Sequence, residues 1–111
     1  MKEAIEIQKG DVVDFTLDSD VSVGDVVAKN DLVGVATVSG LTGETIGLAI
    51  SGVWEIKAKN ADAVEFGKKL YFDSTNRELT TTADSNTKAG IAVSKKAANT
   101  DGAVLVKLNI G

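Results

Sequence analysis

No cysteine, no histidine and no proline occur among the 111 residues of this chain. Without cysteine, neither disulfides nor thiolate-bound zinc can brace the fold. Without histidine, the commonest general base and the commonest metal ligand are both gone. Without proline, every chain reversal falls to Gly, Asn, Asp and Ser. Aromatics are sparse at 5%, and the basic residues are scattered rather than gathered with aromatics between them, so nucleic acid is not an expected partner. No apolar run is long enough to span a bilayer as a helix, which argues against a membrane partner, and Met1-Lys2-Glu3 opens no signal-peptide core.

What is present is the make-up of an ordinary soluble globule, 43% hydrophobic and 25% charged. The length suits one domain, residues 1–111, with a modest core. Net charge is −4, unevenly distributed. Residues 1–55 carry three lysines against ten carboxylates, a net of −7, and residues 56–111 carry nine basic against six acidic side chains, a net of +3.

The stretch from Thr45 to Ala58 organises the rest. Ile46, Leu48, Ile50, Trp54, Ile56 and Ala58 share one parity, with Gly52 as the gap, and Thr45, Ser51, Glu55 and Lys57 take the other. That period of 2 predicts a strand with one buried face, bent at Gly52. Trp54, on the apolar parity just past the bend, is expected in the core or at a partner contact.

Around it, Glu3 to Gln8 alternates with Ile5 and Ile7 on one side. Val13, Phe15 and Leu17 mark the inward parity of another strand, and Asp18-Ser19-Asp20 ends it. A short strand at Val26-Val27 turns at Asn30-Asp31 into Leu32–Val38, apolar on both faces as in a sandwiched centre. Asn60 to Gly67 is expected as one short helix, with Asn60 as N-cap and Gly67 past its end. Leu70-Tyr71-Phe72, Glu78–Thr82, Ala89–Ser94 and an alternating strand ending at Ile110 follow.

Two stretches share words. Val33-Gly34-Val35-Ala36 matches Ala89-Gly90-Ile91-Ala92, and Gly24-Asp25-Val26-Val27 resembles Gly67-Lys68-Lys69-Leu70. Chance repetition of Val/Gly words is the bland account, and duplication of a β unit is the other. The expected fold is mainly β, a small barrel or sandwich of short antiparallel strands with one short helix.

Catalytic patterns are missing. Nucleophilic catalysis needs a base beside the nucleophile, and no serine–lysine, threonine or carboxylate scheme is marked here. Asp18 and Asp20 pair as a solvated turn, without the glycine and distal glutamate of a calcium loop. Gly40-Leu41-Thr42-Gly43 has no lysine, and Gly67-Lys68-Lys69 lacks the glycine spacing and hydroxyl of a phosphate cradle. No catalytic residue, cofactor, metal or small-molecule substrate is expected. A structural or binding protein is.

In order along the chain, Lys9-Gly10-Asp11-Val12-Val13, Gly43-Glu44, Gly52-Val53-Trp54-Glu55, Gly67 with Leu70-Tyr71-Phe72-Asp73, a threonine-rich return, Ile91-Ala92 and a terminal alternating strand form a pattern. It resembles the small head-decoration, or cement, proteins of tailed bacteriophages over nearly the whole chain. Some relatives carry a recombinase-like label, which the missing phosphate loop does not support here. The resemblance implies a β-rich virion protein, assembled in the bacterial host cytoplasm, that sits as a homotrimer on the capsid exterior. Its partners would be the major capsid protein and itself, and its role stabilisation of the head. The alternative is a β-rich module recognising a carbohydrate or host surface. Candidate interface residues are Ile5, Ile7 and Trp54, with residues 1–8 either a first strand or an arm that adds to a sheet edge. The charge split suits a head-to-tail ring, in which unlike faces meet.

Overall fold

A computed structural model describes residues 11–110. Nine strands run in order: β1 Val12–Thr16, β2 Val26–Lys29, β3 Leu32–Ala36, β4 Thr45–Ala49, β5 Val53–Ala58, β6 Lys69–Asp73, β7 Glu78–Thr80, β8 Thr87–Ala92 and β9 Gly102–Leu108. The first four form a sheet in the order β1-β4-β3-β2, and the last five close into a barrel in the order β5-β7-β6-β8-β9. Pairing is antiparallel except between β5 and β7, where Ala58 lies opposite Leu79 in parallel. The chain is thus mainly β, as expected, while Ile5, Ile7 and the 1–8 segment lie outside the described residues.

The stretch from Thr45 to Ala58 is two strands rather than one bent strand. Gly52, with φ of 92°, breaks it, and the halves join different sheets. A side chain there would strain this left-handed backbone, so the glycine fixes where the chain leaves one sheet for the other. The predicted parity survives the break, with Ile46, Leu48, Ile56 and Ala58 all buried.

The short helix expected over residues 60–67 does not form. Val64, 1% exposed, is bridged to Lys96, each N–H donating to the other's carbonyl at 2.9 Å. Those groups are spent across strands and unavailable to an i→i+4 ladder. Asn60 caps nothing: its side chain donates to Asp101, and its carbonyl accepts from the Thr100 N–H. Gly67 has the positive φ expected of it, 87°, as the third residue of a turn closed by the Lys68 N–H on the Glu65 carbonyl. That is the type II pattern.

The two sheets repeat one plan. Val12↔Ala49 and Thr16↔Thr45 between β1 and β4 correspond to Val53↔Lys107 and Lys57↔Ala103 between β5 and β9. Val26↔Val35 and Val27↔Gly34 recur as Lys69↔Ile91 and Leu70↔Gly90. The bridge Val21↔Gly40 recurs as Val64↔Lys96. The Gly24 N–H donates to Ala36 at 2.9 Å and the Gly67 N–H to Ala92 at 2.8 Å; Ala36 and Ala92 donate back to Asp25 and Lys68. The word match at Gly34 and Gly90 is therefore a duplication of register as well as of letters. The second unit differs by an insert after β6 that carries β7, where the first unit turns directly through Asn30.

Burial is shared between the units. The main apolar cluster includes Phe72, Leu70, Leu79, Val104, Val106 and Leu108 of the barrel together with Val33, Val35 and Ala49 of the sheet. Each such aliphatic or aromatic side chain contributes on the order of 1.5–3 kcal/mol by burial. This explains why β3 is apolar on both faces: Val33 and Val35 face the shared core, and Ala36 faces a satellite with Leu17 and Ile46. Asn109, at φ 57°, ties the units at their end. Its amide donates to the Val33 and Ile50 carbonyls, and its own N–H donates to Ala89 at 2.7 Å.

Candidate functional site

Among the described residues, the duplicated turns carry large apolar groups that are strongly exposed. In each, the residue before the positive-φ glycine sits at the tip: Val23, 63% exposed, before Gly24, and Phe66, 74% exposed, before Gly67. A type II turn points its second residue outward, so duplication presents an apolar tip at equivalent places on both units. Around Val23 lie further exposed groups, Val38 and Leu41, held close because the Val23 N–H donates to Ser39 Oγ at 3.0 Å and Val21 bridges Gly40. Apolar surface gathered in this way marks a contact with another macromolecule more often than isolated exposed residues do. On the outer face of the barrel, Val53 and Leu105 are exposed diagonal neighbours across β5 and β9.

Trp54 is half-buried rather than enclosed. Its indole N–H donates to the Ser51 carbonyl at 2.9 Å, and its ring packs on the edge of the main cluster. It lies at the start of β5, where the chain changes sheets. Phe66 was not among the expected contact residues because its segment had the letters of a short helix. The signal for it was the match of Val23-Gly24 to Phe66-Gly67, obscured by the unlike residues around each pair. Of the other aromatics, Phe72 is buried and Phe15 and Tyr71 are half-buried, so the described residues present no aromatic platform.

The carboxylates near the first unit's loops brace those loops. Asp20 accepts from the Thr42 N–H at 2.7 Å and from its hydroxyl at 2.9 Å, and these bonds hold its carboxyl below the ordinary range. Asp25 accepts from the Ser22 N–H, and Glu44 from the Leu41 N–H at 2.6 Å. Asp18 pairs with Lys29 at 2.9 Å across solvent-exposed surface. In the second unit Asp62 is pushed up by desolvation, and outweighing this are the Thr80 hydroxyl at 2.6 Å, the Thr81 N–H at 3.1 Å and the charges of Lys59 and Lys96. Its carboxyl ends below the usual value. Asp73 is likewise lowered, by the side chain and then the backbone of Asn76 and by the Thr75 N–H. Among the described residues no three acidic side chains converge as metal ligands.

The charge split in the sequence is a split between the units. Residues 11–50 carry one lysine against seven carboxylates, and residues 52–108 carry nine basic against seven acidic side chains. Because each unit is continuous in sequence, the acidic half and the basic half occupy different sheets.

A cavity of about 470 Å³ opens between β1 and β2, lined by Phe15, Leu17, Val21, Val27 and Ala28, by Asp18, Asp20 and Asp25, and by Ser74 and Arg77 from the turn after β6. Arg77 crosses its edge to donate to the Val26 carbonyl at 2.7 Å, with its guanidinium 5.2 Å from the Phe72 ring centroid.

Neither the curated proteins nor the solved structures contain a match to this chain. Among protein families, residues 7–108 match the phage cement proteins. With that match running over almost the whole of a two-unit β fold, the chain belongs to the phage cement protein family, structural proteins of the phage capsid.

Proposed function

We propose that this chain binds the outside of a phage head as a homotrimer, contacts the major capsid protein, and stabilises the shell. The observation that carries the reading is the pair of exposed apolar tips, Val23 and Phe66, at equivalent turns of the two units. A subunit that must lie across neighbouring shell proteins needs at least two separated contacts held at fixed distance. A duplicated rigid β unit provides them. Binding only to the assembled shell stabilises that state by mass action, so no catalytic group is required. Assembly onto heads formed in the bacterial host cytoplasm follows from the same reading.

The trimer is supported by the charge division between the units. In a two-fold contact each patch meets its own copy, whereas in a ring the acidic sheet of one subunit can face the basic barrel of the next. Such complementarity acts mainly on association rate and partner choice. Ile5, Ile7 and Trp54 are assigned to these contacts, Trp54 through the exposed part of its half-buried side chain.

Purified heads lacking this protein test the proposal. Added chain should sediment with them and raise the temperature at which they rupture, and F66D with V23D should lose binding while remaining folded. Heads that take up no chain, or rupture at the same temperature with it bound, would show that the protein does not act as a clamp.

A further inference from the structure

We infer that the gap between β1 and β2 is a strand-binding slot, and that it receives Glu6-Ile7-Gln8 from a second copy of this chain.

The duplication defines the slot. In the second unit the gap between β5 and β6 is filled by β7, whose Leu79 lies opposite Ala58 on one side and Phe72 on the other and is fully buried. The corresponding residues of the first unit are Leu17 and Lys29, by the registers that match β1 to β5 and β2 to β6. No strand among the described residues lies between them. Among the described residues both β1 and β2 are edges, and the cavity of about 470 Å³ sits there. Unpaired strand edges beside a cavity half-lined by Phe15, Leu17, Val27 and Ala28 invite an added strand. Among the described residues, the Asp18–Lys29 pair and the Arg77 side chain reach across the opening. The ion pair is exposed, so it yields readily to a strand.

The occupant is identified by sequence and by reach. Glu6-Ile7-Gln8 repeats the acid–aliphatic–polar order of Glu78-Leu79-Thr80, which places Ile7 where Leu79 lies in the barrel. Running in the direction of β7, parallel to β1, the next residue, Lys9, arrives beside Asp20 and Asp25, so unlike charges meet. A chain cannot do this to itself. From Lys9 to Val12 three residues reach at most about 11 Å. Val12 to Leu17 is already about 17 Å along β1, and Lys9 would lie about 7 Å further on. Another copy must therefore supply the strand, and passing it from each subunit to the next is a head-to-tail contact of the kind that closes rings. The inference thus rests on the self-assembly proposed above and gives it a seam.

The absence of cysteine makes the test clean. Ile7→Cys and Lys29→Cys chains are prepared separately, mixed under mild oxidation and run on a non-reducing gel. A covalent dimer is expected from the mixture and from neither variant alone. A disulfide that forms only within one chain, in Ile7→Cys/Lys29→Cys or in Ile7→Cys/Val13→Cys, overturns the inference in favour of a self-hairpin, and no disulfide in either arrangement also overturns it. Sedimentation of I7D provides the second measurement. It should shift to the 11.5 kDa monomer with an unchanged far-ultraviolet spectrum. A trimer that persists in I7D overturns the slot and leaves the proposed assembly standing, whereas a wild-type chain that is monomeric at low salt overturns both.

Discussion

Replacing Gly90 with Ala tests the closest approach in the fold. A Cβ at Gly90 would lie 1.9 Å from the Lys107 carbonyl oxygen and 2.9 Å from its carbon, both backbone atoms that no rotamer change can move. Relief requires β8 and β9 to separate by more than an ångström at Gly90↔Leu108, with Ile91↔Lys107 alongside and the Asn109 N–H bond to Ala89 just beyond. Overpacking of a tight core costs about 1–3 kcal/mol, and each ladder bond weakened adds about 1 kcal/mol. The sum for G90A is about 3–5 kcal/mol, or about 12–25 °C in melting temperature for a domain of this size. The equivalent glycine of the first unit is an internal control. A Cβ at Gly34 meets the buried Leu48 side chain at 2.5 Å and the Ala49 carbonyl oxygen no nearer than 3.1 Å, so Leu48 must shift but the strands need not part, and G34A should cost about 1–3 kcal/mol. Urea unfolding of both variants provides the comparison. G90A melting within a few degrees of wild type, or G34A proving the worse of the two, would refute the assignment of the β8–β9 contact.

Trp54→Ala should cost about 2 kcal/mol, roughly half the loss of a fully buried ring, because the side chain is only half-buried; a denaturant midpoint unchanged from wild type would contradict its packing on the core. F66D should leave the unfolding free energy within about 0.5 kcal/mol of wild type while abolishing head binding, since the ring is 74% exposed; a strongly destabilised F66D would mean that the tip is structural. The lowered carboxyls of Asp20, Asp62 and Asp73 are protonated more readily in the unfolded chain. Their contribution is intact above about pH 4 and lost as the pH falls through the folded values. Melts from pH 5 to pH 2 should show a progressive drop, shallower in D62N, and an identical slope in D62N would exclude Asp62 as a contributor.

Much of the strand layout was legible because alternation survives in short segments. Val13, Phe15 and Leu17, the two-sided β3 and the parity of Val104, Val106 and Leu108 all lie as their letters imply. Failure came where a local signal was reused for another purpose. Asn60 and Gly67 have the letters of helix caps, but the chain between them is pinned by Val64 to a distant loop, and that long-range bridge leaves no local trace. Gly52 announced a bend, yet nothing nearby in sequence says whether a bent strand remains in one sheet. The decision lies in the pairing of β5 with β9, about fifty residues on. The contact surface proposed here was hidden for a related reason. Val23 and Phe66 are equivalent only through their turns, and side chains chosen for a partner need not resemble each other.

The difference between the two units carries the functional argument further than their likeness does. In the barrel, β7 buries Leu79 and joins the edges of β5 and β6; in the first unit the same edges stand apart, and the satellite core buries Leu17, Ala36 and Ile46 with Phe15 and Val21 half-buried against them. Fewer buried contacts make the first unit the part that opens at lower free energy. Left open in a monomer, its edges are a liability for uncontrolled pairing, which the charged residues on and around β1 and β2 restrain. Under the strand exchange inferred above the same openness is an advantage, since a strand received there adds backbone bonds and buries apolar surface only when copies are brought together. On that inference a duplicated fold with one closed and one open unit separates its tasks, with the barrel holding the subunit together and the open sheet receiving the strand of the next copy.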